Sequence, residues 1–242
     1  MDEKKLIQDK QNKIDSLESG SPKKALIISN GSIADYKKTA EDLLNYFNFK
    51  SNFLIICADG AVKKSIALKL IPDVLIGDMD SISKKDLKII LAQNTDITIL
   101  KSDSQKDESD TQLAIDYAVL KKINKIVIIG AMGGRIDHSL ANIFNIASLN
   151  CAKTEISILD GCYEIFVLRK SQVIKGRKGD TISIFSLTPD TFFKKTKGLK
   201  YSLKNEKLDF SPVRGLSNEF TGSEAEIVFE NGMLLIVKQF RI

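Results

Sequence analysis

The chain has 242 residues, 43% apolar and 28% charged, a composition for folded globular protein with one large core or two modest ones. Its formal charge of +5 spreads 36 basic residues among 31 acidic ones, which suits an anionic small molecule. With no RNP1-like motif, zinc-finger spacing or basic block, the sequence argues against nucleic acid as a partner.

Residues 1–22 are charged throughout, lack the apolar core of a secretory signal and read as a tail outside the fold. From there short apolar runs alternate with helical patterns. The expected strands are 25–29, 53–58, 73–77, 97–100 and 125–130; the expected helices are 36–47, 62–70, 83–93, 109–122 and 136–149. This alternation predicts a parallel α/β sheet covered on both faces, with ligands at the strand C-terminal ends. Beyond residue 152 the segments EISILD, YEIFVLR, SQVIKG, DTISIFSL, YSL, AEIVFE and MLLIVKQF are β-rich and separated by turns, which predicts an antiparallel sandwich. The expected division is therefore a tail at 1–22, an α/β domain at 23–152 and a β-sandwich at 153–242. Cys57, Cys151 and Cys162 form no CxxC pair, and no apolar run is long enough to span a membrane. A reducing, cytoplasmic setting is expected, with no membrane partner.

The acids of the first part fall at predicted strand ends. Asp59 follows FLIICA, Asp78 and Asp80 follow DVLIG, and Asp107 and Asp110 open a helix. Each alone is accounted for by a turn or a helix N-terminus. Converging from separate strands, they would repel unless neutralised, and oxygen donors of this kind suit a hard divalent ion such as Mg²⁺ beside phosphate. The stretch GAMGGRIDHS offers Gly133 and Gly134 for close backbone approach to phosphate, Arg135 as a planar donor, and Asp137 and His138 at a helix start. It is neither a Walker A loop nor a Rossmann fingerprint. Lys101 and Lys106 flank the acidic segment as further phosphate contacts or as solvated lysines. His138 is the sole histidine, which excludes a His-based zinc site, and no G-x-S-x-G elbow is present. In the second part, Ser217 and Asn218 lie in a polar cluster read as a loop, and Tyr201 could stack on a flat ring or simply pack.

Taken in order, CADGA, PDVLIGDMDSI, KDESDTQLAI, GAMGGRIDHSLANI, KGDTISIFSL, KGLKYSL and GLSNEF resemble the successive motifs of the thiamine pyrophosphokinase family, from about residue 25 to the C-terminus. The resemblance implies an α/β nucleotide-binding domain followed by a β-sandwich, a homodimer, Mg²⁺, and transfer of diphosphate from ATP to thiamine with release of AMP. It implies that thiamine lies between one subunit's acids and the partner's sandwich. Asp59, Asp78, Asp80 and Asp110 match the metal-binding positions. Asp107, Arg135, Asp137 and His138 match neighbouring positions near the phosphates, and Ser217 and Asn218 match the thiamine motif. Ala61 and Met79 depart from the glycine and phenylalanine that the family commonly carries there. The alternatives are another metal-dependent phosphoryl enzyme, such as a phosphohydrolase, and a non-catalytic nucleotide- or thiamine-binding module.

Overall fold

The computed structural model describes residues 24–47, 53–103, 108–149, 154–208, 210 and 214–240. Its first half follows the expected alternation: β1 (Lys24–Ile28), α1 (Tyr36–Phe47), β2 (Phe53–Ala58), α2 (Val62–Leu68), β3 (Val74–Gly77), α3 (Lys84–Gln93), β4 (Thr98–Lys101), α4 (Asp110–Leu120), β5 (Lys125–Ile129), α5 (Ile136–Ser148) and β6 (Glu155–Asp160). A 3₁₀ turn, Asp59–Ala61, joins β2 to α2. Local chemistry sets the helix ends. Ser83 Oγ accepts the Asp86 N–H at 3.1 Å to start α3, and Ser109 Oγ accepts the Gln112 N–H at 3.2 Å to start α4. Lys69 closes α2 in the left-handed conformation at φ 57°, its N–H turned back to the carbonyls of Ile66 and Ser65.

The strands of this half run parallel in the order β6-β5-β1-β2-β3-β4. Period-two alternation sorts the central strand's side chains to two cores. Ala25 and Ile27 pack with Ala114, Ile115 and Ala118 of α4 and Ile146 of α5. Leu26 and Ile28 pack on the other face with Leu43 of α1, Val62 and Leu68 of α2 and Ile90 of α3. Burial on both faces explains why β1 and β5 read as unbroken apolar runs. The chain reverses its direction across the sheet between β4 and β5. That places a topological switch point at the C-terminal ends of β1 and β5.

The second half is antiparallel, as expected: β7 (Tyr163–Leu168), β8 (Gln172–Lys175), β9 (Thr181–Ser186), β10 (Thr191–Lys197), β11 (Lys204–Leu208), β12 (Gly215–Glu219), β13 (Glu224–Glu230) and β14 (Leu234–Gln239). A four-stranded sheet, β11-β10-β13-β8, faces the strands β12-β9-β14-β7, with Phe193, Phe220, Ile184, Ile227 and Ile236 buried between them. Three details correct the sequence reading. β6, grouped with the antiparallel strands, pairs parallel with β5 and antiparallel with β7, so one ten-stranded sheet runs through both halves. The segment YSL is not a strand, whereas β10, β11 and β12 form where no strand was expected.

Lys238 breaks the apolar pattern of β14, since it shares the inward face with Leu234 and Ile236 and is only 4% exposed. Its ammonium pairs with Glu164 on β7 at 2.9 Å and donates to the Lys175 carbonyl of the facing sheet at 3.1 Å. A buried pair is costly to leave half-made, while an apolar replacement of both partners costs little. Lys238→Ala should therefore lower unfolding free energy by about 3–5 kcal/mol in urea titration, and Lys238→Met with Glu164→Leu should recover most of that loss. A single-variant loss below about 1 kcal/mol would mean that water screens the pair.

Candidate active site

The C-terminal ends of β2, β3 and β5 carry predicted residues of the first half along one edge of the sheet. Asp59 begins the 3₁₀ turn after β2 and is 3% exposed, while Asp78 and Asp80 follow β3 and are progressively more open to solvent. One carboxylate oxygen from each of these three lies within 4.8 Å of the others. Among the described residues this is the acidic group compact enough to hold a metal ion.

The backbone after β3 is shaped around Asp59. Gly77 has φ +150°, and a Cβ there would stand 2.5 Å from Asp59 Cγ. Met79 takes the left-handed conformation at φ 69°, rare for a side chain of this size, which turns its N–H onto Asp59 Oδ2 at 2.8 Å. The side chain of Met79 packs into the core shared with α2 and α3. The Asp80 N–H folds back onto Asp78 Oδ1 at 3.1 Å, and Ser81 Oγ donates to Asp80 Oδ1 at 2.9 Å. Burial pushes the Asp59 pKa up to about 6; the Met79 and Gly60 N–H groups oppose the rise, while the charge of Asp110 and a side-chain hydrogen bond with Asp78 add to it. Repulsion and burial thus outweigh the hydrogen bonds. The site carries more negative charge than its protein partners balance.

Asp110 starts α4 close enough for its charge to act on Asp59, yet it stands outside the trio. Asp107 and Lys106 lie outside the described residues. Lys101 ends β4 beside Gly77 and is exposed. In the 130–135 loop, Gly130, Gly133 and Gly134 all have positive φ, the conformation that a phosphate-cradling turn requires of glycine. Arg135 and Asp137 are exposed and paired with each other, Nε and one terminal nitrogen of the guanidinium meeting the two carboxylate oxygens. The pairing raises the Arg135 pKa and lowers that of Asp137. His138 is exposed in the first turn of α5.

Sequence reading missed the loop after β1. The Gly31 N–H bonds the Gly130 carbonyl at 2.5 Å and the Ser32 N–H bonds the Met132 carbonyl at 2.8 Å, which ties this loop to the glycine loop across the switch point. Ser29 Oγ meets Thr111 Oγ1 of α4 at 2.5 Å. The available signal was the turn SNGS at the same strand end as the acids.

In the sandwich, Asn218 is buried on the edge strand β12. Its Oδ1 accepts the Tyr201 and Glu219 N–H groups at 3.0 and 2.9 Å, and its Nδ2 donates to the Tyr201 carbonyl at 2.7 Å. The Tyr201 backbone is held by these bonds, and the residue is 61% exposed. Ser217 is exposed with φ 54°, at the irregularity in the β12–β9 register.

Gly77→Ala should displace the carboxylate and strain the φ +150° backbone, lowering stability by about 1–3 kcal/mol in chemical denaturation. An unchanged midpoint would show that Asp59 moves aside freely.

Comparison with known proteins matches this arrangement on both halves. The model of the thiamin pyrophosphokinase catalytic domain matches residues 47–159, and that of the thiamin pyrophosphokinase vitamin B1 binding domain matches residues 164–234. The thiamine pyrophosphokinase of Bacillus subtilis (strain 168) is 26% identical over 204 residues, covering 84% of this chain and 94% of that protein. Thiamin pyrophosphokinase 1 of Caenorhabditis elegans is 22% identical over 230 residues, with 86% of each chain covered. The crystal structure of thiamine pyrophosphokinase from Bacillus subtilis superposes with a TM-score of 0.77 at 24% identity, over 90% of this chain and 100% of that one, and yeast thiamin pyrophosphokinase shares the fold with a TM-score of 0.67. With both parts matched in order and the acids converging where such a sheet binds its ligands, the chain belongs to the thiamine pyrophosphokinase family.

Proposed function

We propose that this protein transfers the diphosphate of ATP to the primary hydroxyl of thiamine, giving thiamine diphosphate and AMP. The observation that carries this reading is the trio Asp59, Asp78 and Asp80, three carboxylates from two strand ends within 4.8 Å of one another. Their all-oxygen donor set and unbalanced charge fit a hard divalent ion, and Mg²⁺ is the proposed one, with Asp110 as a further ligand. Bound there, the ion would neutralise phosphate oxygens as charge develops in the transfer. The chain's own part is to position and to balance charge. The 130–135 loop, through Gly133, Gly134 and Arg135, receives the polyphosphate, with Asp137 and His138 beside it; Lys106 and Asp107 are assigned to the phosphates from the sequence motif alone. One carboxylate, Asp110 in this reading, orients the attacking hydroxyl; good alignment makes a strong base unnecessary.

Tyr201, Ser217 and Asn218 are the proposed thiamine contacts, supplied by residues 153–242, while 23–152 bind ATP. Within one chain these groups stand far apart. β12 is the first strand of the ten-stranded sheet and β2 the eighth, so seven spacings of about 4.8 Å separate them, on the order of 30 Å. A site that uses both sets takes them from two chains, which supports a homodimer. On α5, Ile136, Leu140 and Phe144 recur every four residues at 78%, 50% and 59% exposure, an apolar stripe suited to such an interface. The proposed setting is cytoplasmic, consistent with Cys57 and Cys162 as free thiols; no helix among the described residues is long and apolar enough to cross a membrane.

Product analysis tests the reaction. Thiamine, ATP and Mg²⁺ should yield AMP and thiamine diphosphate in equal amounts, and Asp78→Asn or Asp80→Asn should each abolish turnover while circular dichroism stays unchanged. ADP with thiamine monophosphate, or nucleotide turnover independent of thiamine, overturns the assignment; the latter identifies a phosphohydrolase. Subunit mixing tests the shared site. Asp80→Asn protein and Tyr201→Ala protein, each inactive alone, should regain roughly a quarter of wild-type activity after co-refolding, because half the dimers then carry one intact site. No recovery from mixtures that do form mixed dimers would place both sets of residues in the same chain.

A further inference from the structure

Lys64, in the first turn of α2, has no part in the reaction as described above. Its ammonium donates to Asn30 Oδ1 at 2.7 Å and to the Asn30 carbonyl at 3.2 Å. Asn30 belongs to the loop after β1, and the bare Cα of Gly60 admits it: a Cβ on Gly60 would lie 2.3 Å from Asn30 Nδ2. Both acceptors are neutral. Among the described residues no carboxylate forms an ion pair with Lys64, which is half-buried, and its burial lowers its pKa from the usual lysine value. A cation drawn partly out of water and balanced by no anion is expensive to keep unless an anion arrives from outside.

Its position identifies the anion. Lys64 and Asn30 lie at the ends of β1 and β2, beside the switch point that the 29–35 and 130–135 loops close through their hydrogen bonds. The carboxylate trio stands at the ends of β2 and β3. If the β-phosphorus of ATP sits over the trio, one strand spacing, about 4.8 Å, toward the switch point reaches the next phosphate of the nucleotide. Arg135 is already engaged by an anion, Asp137, whereas Lys64 meets only the neutral acceptors of Asn30.

Resting on the function proposed above, the geometry points to Lys64, oriented by Asn30, as the residue that holds the α-phosphate of ATP and, after transfer, the phosphate of AMP. In the step itself the thiamine hydroxyl oxygen forms a bond to the β-phosphorus and loses its proton to solvent. The bond from the β-phosphorus to the oxygen shared with the α-phosphorus breaks, and its electron pair stays on that oxygen as AMP leaves. Lys64 meets the charge that appears there, and it also meets the α-phosphate before the bond breaks. It therefore contributes to nucleotide affinity as well as to rate.

Calorimetric titration with AMP and with adenosine separates phosphate recognition from structural support. Lys64→Met should weaken AMP binding roughly tenfold or more, since a hydrogen bond to a charged group is lost. Adenosine affinity and the KM for thiamine should stay at wild-type values, and Lys64→Arg should restore most of the AMP affinity. Asn30→Ala, which frees the ammonium without removing it, should weaken AMP binding about threefold and serves also if the methionine variant does not fold. Wild-type AMP affinity in a folded Lys64→Met protein, or in Asn30→Ala where the former does not fold, overturns the role of Lys64 alone. Wild-type protein that binds neither AMP nor ATP overturns the functional reading and this role together.

Discussion

The hydrogen bond from the Met79 N–H to the Asp59 carboxylate is the contact on which the site depends. It joins the end of β2 to the end of β3, and it forms because two departures from strand geometry, on either side of Asp78, turn the backbone toward Asp59: φ +150° at Gly77 and the left-handed φ 69° at Met79. A methionine pays about 1 kcal/mol for that conformation. The return is geometric, because the same turn carries Asp78 and Asp80 to within 4.8 Å of Asp59. One N–H group cannot also settle the electrostatics. Asp59 stays well above the ordinary carboxylate range because burial and neighbouring carboxylates outweigh the donors offered to it. The fold has arranged an electrostatic deficit at one edge of the sheet, and such deficits concentrate where a cation or a reacting group is to be bound.

The rest of the structure extends this edge. Parallel strands align their C-terminal ends, so residues distant in sequence meet without long loops. The β1 and β5 loops are laced together by the Gly31 and Ser32 N–H groups, which fixes the glycine loop relative to the acids. The sheet does not stop there. β6 pairs on one side with β5 and on the other with β7, so the backbone ladder passes without a break into the antiparallel half. That continuity sets Ser217 on β12, at one end of the sheet, seven strands from β2, after which Asp59 follows.

Much of this was legible in the sequence because the physics is local. Buried parallel strands must be apolar on both faces, so FLIICA and VLIG announce themselves, and the acids that follow them fall at strand ends by simple counting. The strands that went unread are those whose burial pattern is set by distant partners. β10, TFFKKTK, carries three lysines that pair with Glu230 and Glu226 of the neighbouring β13. β11, KNEKL, is an edge strand, where charge is tolerated and even useful against mispairing. β12 is interrupted by a register shift at which Ser217 takes a positive φ, so no alternation survives to be seen. The conformation of Met79 was equally hidden, since nothing in the residue type favours it; only the demand of a buried carboxylate twenty residues earlier explains it.

The charge balance across the site also accounts for an apparent contradiction at Arg135. A guanidinium proposed to receive phosphate is already held by Asp137, two residues along and at the first turn of α5. Both side chains lie open to solvent, and an exposed pair of this kind contributes little net stability, so exchanging one anion for another costs little. The pairing keeps the donor fork folded over the start of the helix, near the glycine turn, where a free arginine would sample many rotamers. Asp137, once released, still lies at the positive end of α5, where a carboxylate is favoured. The exchange therefore leaves neither partner stranded, and in the proposed reaction the contact that phosphate would displace is the one that already orients the arginine.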